Sequence, residues 1–124
     1  MTFEITETAA CEQLNNAIEF IQKVRQLGCQ ISLDDFGVGF SSFSYLKHLR
    51  ADILKIDGSF VRNIEADRDN QFFIQSLADT LHSIDIRVYA QAVETRSERE
   101  TLESLGIDGI QGYLSGRPEL LRQE

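Results

Sequence analysis

Apolar and polar positions follow two rhythms along this chain, one of period two and one of period 3.6, and they exchange about five times. Residues 3 to 6, Phe-Glu-Ile-Thr, have the alternation of a short strand. From 9 to 27 the apolar side chains Leu14, Ala17, Ile18, Ile21, Val24 and Leu27 recur at helical spacing, and Gly28 closes that helix. Residues 30 to 34 predict a strand, Ser42 to Leu49 a short helix, and Asp52 to Ile56 a further strand. Phe72, Phe73, Leu77 and Leu81 mark a helix of about 15 residues. Ile84 to Ala90 predicts another strand. Thr95-Arg-Ser-Glu98 is a capping-box pattern opening a helix that holds Leu102 and Leu105 on its apolar face and ends at Gly106. Ile107 to Ile110 is the last predicted strand, and Gly116-Arg-Pro118 begins a tail.

Alternating strands and helices predict an α/β fold with parallel strands joined by helical crossovers. Polar residues gather at one end of each strand: Glu4 and Glu7, Asp34 and Asp35, Lys55 and Asp57, Gln91 and Glu94, then Gln111. Chemistry delivered at the C-terminal ends of parallel strands belongs to a (β/α)8 barrel or an open doubly wound sheet. A complete barrel takes about 250 residues. This chain has 124, enough for one domain with a core and half of what the barrel needs.

The net charge of −8 argues against binding a nucleic-acid polymer, which needs a Lys/Arg surface. A small anionic ligand remains compatible if metals or local Lys/Arg offset the acidity. Cys11 and Cys29 lack ligand spacing and read as small buried apolar residues, and His48 and His82 as structural or exposed. Nothing resembles a signal peptide or a membrane span, so a cytoplasmic location is expected.

The most informative segment is Ile31-Ser-Leu-Asp-Asp-Phe-Gly-Val-Gly-Phe-Ser-Ser42. An apolar run ends in two adjacent carboxylates, Asp34 and Asp35, followed by Gly37 and Gly39. Where a strand breaks into a glycine-rich loop, both carboxylates can turn toward one hard cation, and paired oxygen anions suit Mg2+ or Mn2+ rather than zinc. Asp-Asp-Phe-Gly also suits a plain turn.

Phe3-Glu-Ile-Thr-Glu7, Asp34-Asp-Phe-Gly-Val-Gly-Phe-Ser-Ser42, Leu54-Lys-Ile-Asp-Gly-Ser-Phe-Val61, Ala90-Gln-Ala-Val-Glu-Thr95 and Gln111-Gly-Tyr-Leu-Ser-Gly-Arg-Pro118 resemble, in order, the later motifs of the EAL family. That family comprises cyclic di-GMP phosphodiesterases and their degenerate relatives. The resemblance covers essentially the whole chain. It implies that residues 1–124 are the C-terminal part of an EAL-type domain, about five βα units of a (β/α)8 TIM-type barrel. It further implies Glu4, Asp34 and Asp35 as ligands of Mg2+ or Mn2+, with Asp34 bridging and Asp35 serving a second metal. Lys55 would hold the attacking water or a phosphate oxygen, and Gln111 would orient metal-bound water. Glu7 would anchor the loop Phe36 to Ser42, and Glu94 would orient groups behind the site. The implied ligand is cyclic di-GMP, cut to linear pGpG, and the implied assembly is a homodimer.

Other readings of the same residues stay open. Glu4 could face solvent on an edge strand, Lys55 could be a strand-end cation, and Gln111 could merely end a strand. Asp57 suits a turn or helix cap, and Glu94 suits a helix start as well as a supporting role.

Two departures from the family pattern matter. Gln91 stands where the family usually has the first Glu of Ala-Glu-Gly-Val-Glu-Thr, and Ala92 replaces its glycine. The family's Glu-Ala-Leu segment and a metal-binding Asn would fall before Met1. An amide is a poorer donor to a hard dication and cannot take a proton, so the 124 residues alone are expected to be inactive, with metal bound weakly or not at all. Five strands of a barrel should leave open edges and an apolar lumen built from Ile5, Ile31, Leu33, Ile53 and Val88, which predicts self-association.

Overall fold

The computed structural model describes residues 2–6, 14–36, 51–112 and 119–120. The predicted helix at 42–49, Glu7, Cys11, His48 and the start of the tail lie outside them. Strand β1 (Thr2–Thr6) leads to α1 (Leu14–Gln26), β2 (Gln30–Phe36) and β3 (Ile53–Ile56). Two 3-10 turns follow, Gly58–Phe60 and Ile64–Ala66, then α2 (Arg68–His82), β4 (Arg87–Ala90), α3 (Arg96–Ser104), β5 (Gly109–Ile110) and β6 (Glu119–Leu120). The strands form one sheet in sequential order. Each of the first four pairs parallel to the next, and β6 runs antiparallel against β5. A sequential parallel sheet backed by helices is one arc of a (β/α)8 barrel.

The helices end by one repeated device. Gly28 (φ 82), Asp85 (φ 62) and Gly106 (φ 93) each adopt the left-handed conformation just past a helix. The next residue then bonds back to the helix: Cys29 N–H to the Val24 carbonyl, Ile86 to Leu81 and Ile107 to Leu102. These are six-to-one closures that satisfy carbonyls the helix leaves free. They also correct two predicted strands. Ile84 to Ile86 serve the closure of α2, so β4 begins at Arg87, and Ile107 serves that of α3, so β5 is confined to Gly109–Ile110. At the other ends, Asp67 caps α2 by accepting from Asn70 N–H, and Thr95 with Glu98 forms the capping box predicted for α3.

Register decides which face each strand residue takes. Ile5, Leu33, Leu54 and Val88 lie across from one another on successive strands. Ile31, Leu33, Leu54, Ile56, Val88 and Ala90 share one core with Ile21 and Val24 of α1, Ile74, Ala78 and Leu81 of α2, Leu102 of α3 and Leu105 just after it. The expected apolar lumen is therefore a mistaken grouping: Ile31, Leu33 and Val88 are buried under the helices and Ile5 packs partly buried against the same core. The opposite face carries Glu4, Ser32, Asp34, Ile53, Lys55 and Tyr89, and of these only Ile53 was expected there. Alternation within a strand gives two sets, and nothing local says which set the helices cover.

His82, read from the sequence as structural or exposed, closes a brace at the far end of the sheet. Its Nε2 lies 2.6 Å from Asp108 Oδ2, which also accepts from Val88 N–H at 2.8 Å. Asp108→Ala leaves a buried backbone donor unmatched and is expected to cost about 1–3 kcal/mol, read by urea unfolding. A change within 0.5 kcal/mol would show the brace to be ornamental.

Candidate active site

Three adjacent strands bring Glu4, Asp34 and Lys55 together on the face away from the helices. A β-bulge assists. Leu33 pairs with Leu54 and Phe36 with Ile56, so Asp34 and Asp35 together stand opposite the single residue Lys55. An extra residue of this kind re-aims side chains next to functional sites. The strand thus continues through the aspartates to Phe36 rather than breaking at them as predicted.

Lys55 is buried and its Nζ lies 2.5 Å from Glu4 Oε1, while the Glu4 side chain is about half exposed. Ser32, two residues before Asp34 and on the same face, donates its hydroxyl to Asp34 Oδ1 at 2.8 Å. Burial pushes the Asp34 carboxyl up to about 6; the Ser32 hydrogen bond and the Lys55 charge oppose this, and the neighbouring Glu4 adds to it. Glu4 is held below its ordinary value by the Lys55 hydrogen bond, against its own desolvation, with help from the Lys55 charge and a hydrogen bond with Asp34. Two carboxylates in contact cannot both ionise freely, and Asp34 is the member that gives up its proton at the higher pH.

Further along the sheet, Gln91 follows β4 and Gln111 follows β5. The Gln111 Oε1 atom is buried and has no hydrogen-bond partner among the described residues. Asp57 is a cap, as one of its two readings had it: it accepts from Ser59 N–H at 2.9 Å. Glu94 is exposed, and its backbone N–H bonds to Glu98. A cavity of about 510 Å3 opens between the turns after β3 and β4, lined by Asp57, Gly58, Ser59, Arg62, Gln91 and Glu94 among others. Ser32, Arg62 and the full role of Glu98 escaped the sequence reading. The period-two step from Asp34 would have found Ser32. No local signal places Glu98 against Asn63, 35 residues away.

Glu4 and Asp34 are hard oxygen donors in mutual contact, which fits Mg2+, Mn2+ or Ca2+. Among the described residues no three Asp, Glu, His or Cys side chains gather as a metal group. The Asp35 side chain lies outside the described set.

The EAL domain profile matches residues 1–118. The chain is 42% identical over 121 residues to the cyclic di-GMP phosphodiesterase PdeF of Escherichia coli K12, covering 98% of this chain and 16% of that protein. It is 39% identical to PdeB of Shewanella oneidensis, covering 96% of this chain and 14% of that one. The solved MucR phosphodiesterase in complex with c-di-GMP superposes with a TM-score of 0.84 at 34% identity, over 96% of this chain and 48% of that one. The Klebsiella pneumoniae BlrP1 complex with manganese and cyclic di-GMP gives 0.86 at 32% identity, over 97% of this chain and 31% of that one. The chain therefore spans only a part of each of these relatives. The sequential parallel sheet backed by helices agrees with these matches, and the chain belongs to the EAL domain family.

Proposed function

We propose that these residues are the C-terminal portion of a metal-dependent cyclic di-GMP phosphodiesterase site, which in its complete form opens the ring to linear pGpG, and that the 124 residues alone bind without hydrolysing. The observation that carries it is the contact of Lys55 Nζ with Glu4 Oε1 at 2.5 Å beside buried Asp34, at the C-terminal ends of three parallel strands. A scaffold has no need of a buried cation and two carboxylates there. Glu4 and Asp34 would hold one divalent ion and Asp35 a second, Mg2+ or Mn2+. Bound, such ions neutralise phosphate oxygens and make a hydroxide nucleophile available near neutral pH. Lys55 holds the attacking water or a phosphate oxygen as a point charge. Gln111 aligns a water from the last strand, Glu7 anchors the loop after β2, and Glu94 supports the turn after β4.

Gln91 favours a second reading, a degenerate module that binds cyclic di-GMP without catalysis in any context. Its amide removes a negative charge and a proton acceptor from the end of β4. Self-association remains part of the proposal on narrower grounds. With Ile31, Leu33 and Val88 already covered by the helices, it rests on β1, an edge strand among the described residues, and on Phe72, which α2 leaves 74% exposed. Light scattering at micromolar concentration reads it directly, and a monomer there removes it. Among the described residues no helix is long and apolar enough to cross a membrane; a cytoplasmic location belongs to the same proposal.

Calorimetric titration with millimolar Mn2+ and then cyclic di-GMP tests the site. Weak binding lost in Asp34→Ala, with no pGpG by chromatography, is the expected result. Clear turnover abolished by Asp34→Ala would overturn the non-catalytic half, and no metal or nucleotide binding would overturn the rest. Turnover by a longer version with a Glu-Ala-Leu segment ahead of residue 1 selects the enzyme, and retained binding without turnover selects the module.

A further inference from the structure

Gly58 needs an explanation that backbone freedom does not supply. The described glycines with positive φ are Gly28, Gly106 and Gly112, and Gly58 is not among them. Space supplies it. A Cβ placed on Gly58 would lie 2.7 Å from the Ala92 Cβ and 3.5 Å from the Gln91 carbonyl oxygen. The obstacle is a methyl fixed to backbone, which no rotamer change can move aside. Ala92 itself sits at φ 57, a left-handed conformation that costs an alanine and that glycine adopts freely.

The opposite flank is equally close. A Cβ on Gly112 would come 3.1 Å from both the nitrogen and the oxygen of Val93 and 3.2 Å from the Ala92 Cα. Between these glycines the turn is pinned by backbone bonds: Gln91 N–H to Ile56 at 3.1 Å, Gln111 N–H to Ala90 at 2.8 Å and Val93 N–H to Gln111 at 3.0 Å. The segments after β3, β4 and β5 therefore interlock at Gly58, Ala92 and Gly112.

We propose that Ala92 is a positioning residue. Its strained methyl seats on the bare face of Gly58, and with Gly112 behind it locks residues 91–93, so that Gln91 and Gln111 are presented rigidly at the ends of neighbouring strands. Gly58 and Ala92 form a coupled pair: the methyl at 92 is admitted only because 58 has none. The nucleotide consequence rests on the function proposed above; the coupling does not.

Gly58→Ala, Ala92→Gly and the double variant test it in the whole 124-residue chain. Gly58→Ala forces overpacking and is expected to lower Tm by about 5–15 °C. Ala92→Gly relieves strain but loses contact and loosens the unfolded chain less favourably, leaving Tm within about 3 °C of the parent. The double variant should fall within about 3 °C of Ala92→Gly, because the obstacle is gone. Additive losses would overturn the coupling. If Gly58→Ala alone fails to fold, a double variant that folds still supports the pair, and one that fails too overturns it.

Positioning is read separately by amide hydrogen exchange. Ala92→Gly should speed exchange at Val93 about tenfold while Leu54 and Val88 stay protected. Unchanged exchange at Val93 would reduce Ala92 to filler. With Mn2+ present, Ala92→Gly should weaken cyclic di-GMP binding about 3–10-fold through lost preorganisation, and Gly58→Ala/Ala92→Gly should match it. Undiminished affinity overturns the functional half. Absence of nucleotide binding in the parent counts against the function proposed above, and melting and exchange still decide the pair.

Discussion

Replacing Asp34 by asparagine is expected to make the metal-free chain more stable at pH 8. The carboxyl is buried, touches Glu4, and is pushed up to about 6 by that burial first of all. A group whose pKa is raised on folding contributes stability that is complete below its unfolded value, about 3.9, and is lost as pH rises through the folded one. Above pH 6 the chain therefore carries an ionised Asp34 beside Glu4. Asparagine keeps the oxygen that accepts from Ser32, and its amide can donate to Glu4. The gain should be on the order of 1–2 kcal/mol at pH 8, below the full linkage because Lys55 already offsets part of the charge, and should vanish near pH 4. Urea unfolding in EDTA at pH 4, 6 and 8 reads the difference between variant and parent, in which other titrating groups cancel. Millimolar Mn2+ should stabilise the parent and leave the variant unmoved. A variant less stable than its parent at pH 8 would mean that this carboxylate is at ease where it is. Stability given up for a charged site is the usual cost of function.

The largest loss of stability is expected at Glu98. This side chain is 3% exposed and accepts three backbone N–H bonds, from Asn63 at 2.9 Å, Glu94 at 2.9 Å and Thr95 at 3.2 Å. It therefore caps α3 and also ties that helix to the segment after β3. Burial by itself would raise its pKa, but the three donors together with the Arg62 charge outweigh burial and hold it below the ordinary value. Glu98→Ala leaves the three donors unmatched, and a loss of about 2–4 kcal/mol at pH 7 is expected. Glu98→Gln should fall between, because one amide oxygen cannot replace two carboxylate oxygens on opposite sides. The sign with pH is opposite to that of Asp34. A depressed carboxyl contributes above its unfolded value, about 4.3, and the contribution fades as pH falls through the lower folded one. The gap between Glu98→Ala and the parent should accordingly narrow toward pH 3. A gap that stays constant with pH would show that packing, not charge, is what Glu98 provides.

Several of these features could be read along the chain. The helix marked by Phe72 to Leu81 is α2, the Thr95–Glu98 pattern is the observed capping box, and five strands fall where the apolar runs are. Local signals suffice there because caps, closing glycines and periodicity act over a few residues. The polar strand ends were legible for the same reason, and Glu4, Asp34 and Lys55 do converge. Asp57 had a cap among its readings and is one.

What tertiary structure alone decided involves residues far apart or differences of one residue in register. The bulge that sets Asp34 and Asp35 against Lys55 depends on how β2 meets β3, across a connection of more than a dozen residues. The placement of Ile31, Leu33 and Val88 under the helices follows from which face the crossovers cover, and a strand's alternation is symmetric with respect to that choice. His82 finding Asp108, Glu98 finding Asn63, and Gly58 yielding space to Ala92 each join segments separated by 26 to 35 residues. Sequence composition names the side chains able to make such contacts. Only the ladder of parallel strands and the helices packed on it bring them within reach, because side-chain chemistry acts over a few ångströms while the chain between them spans tens.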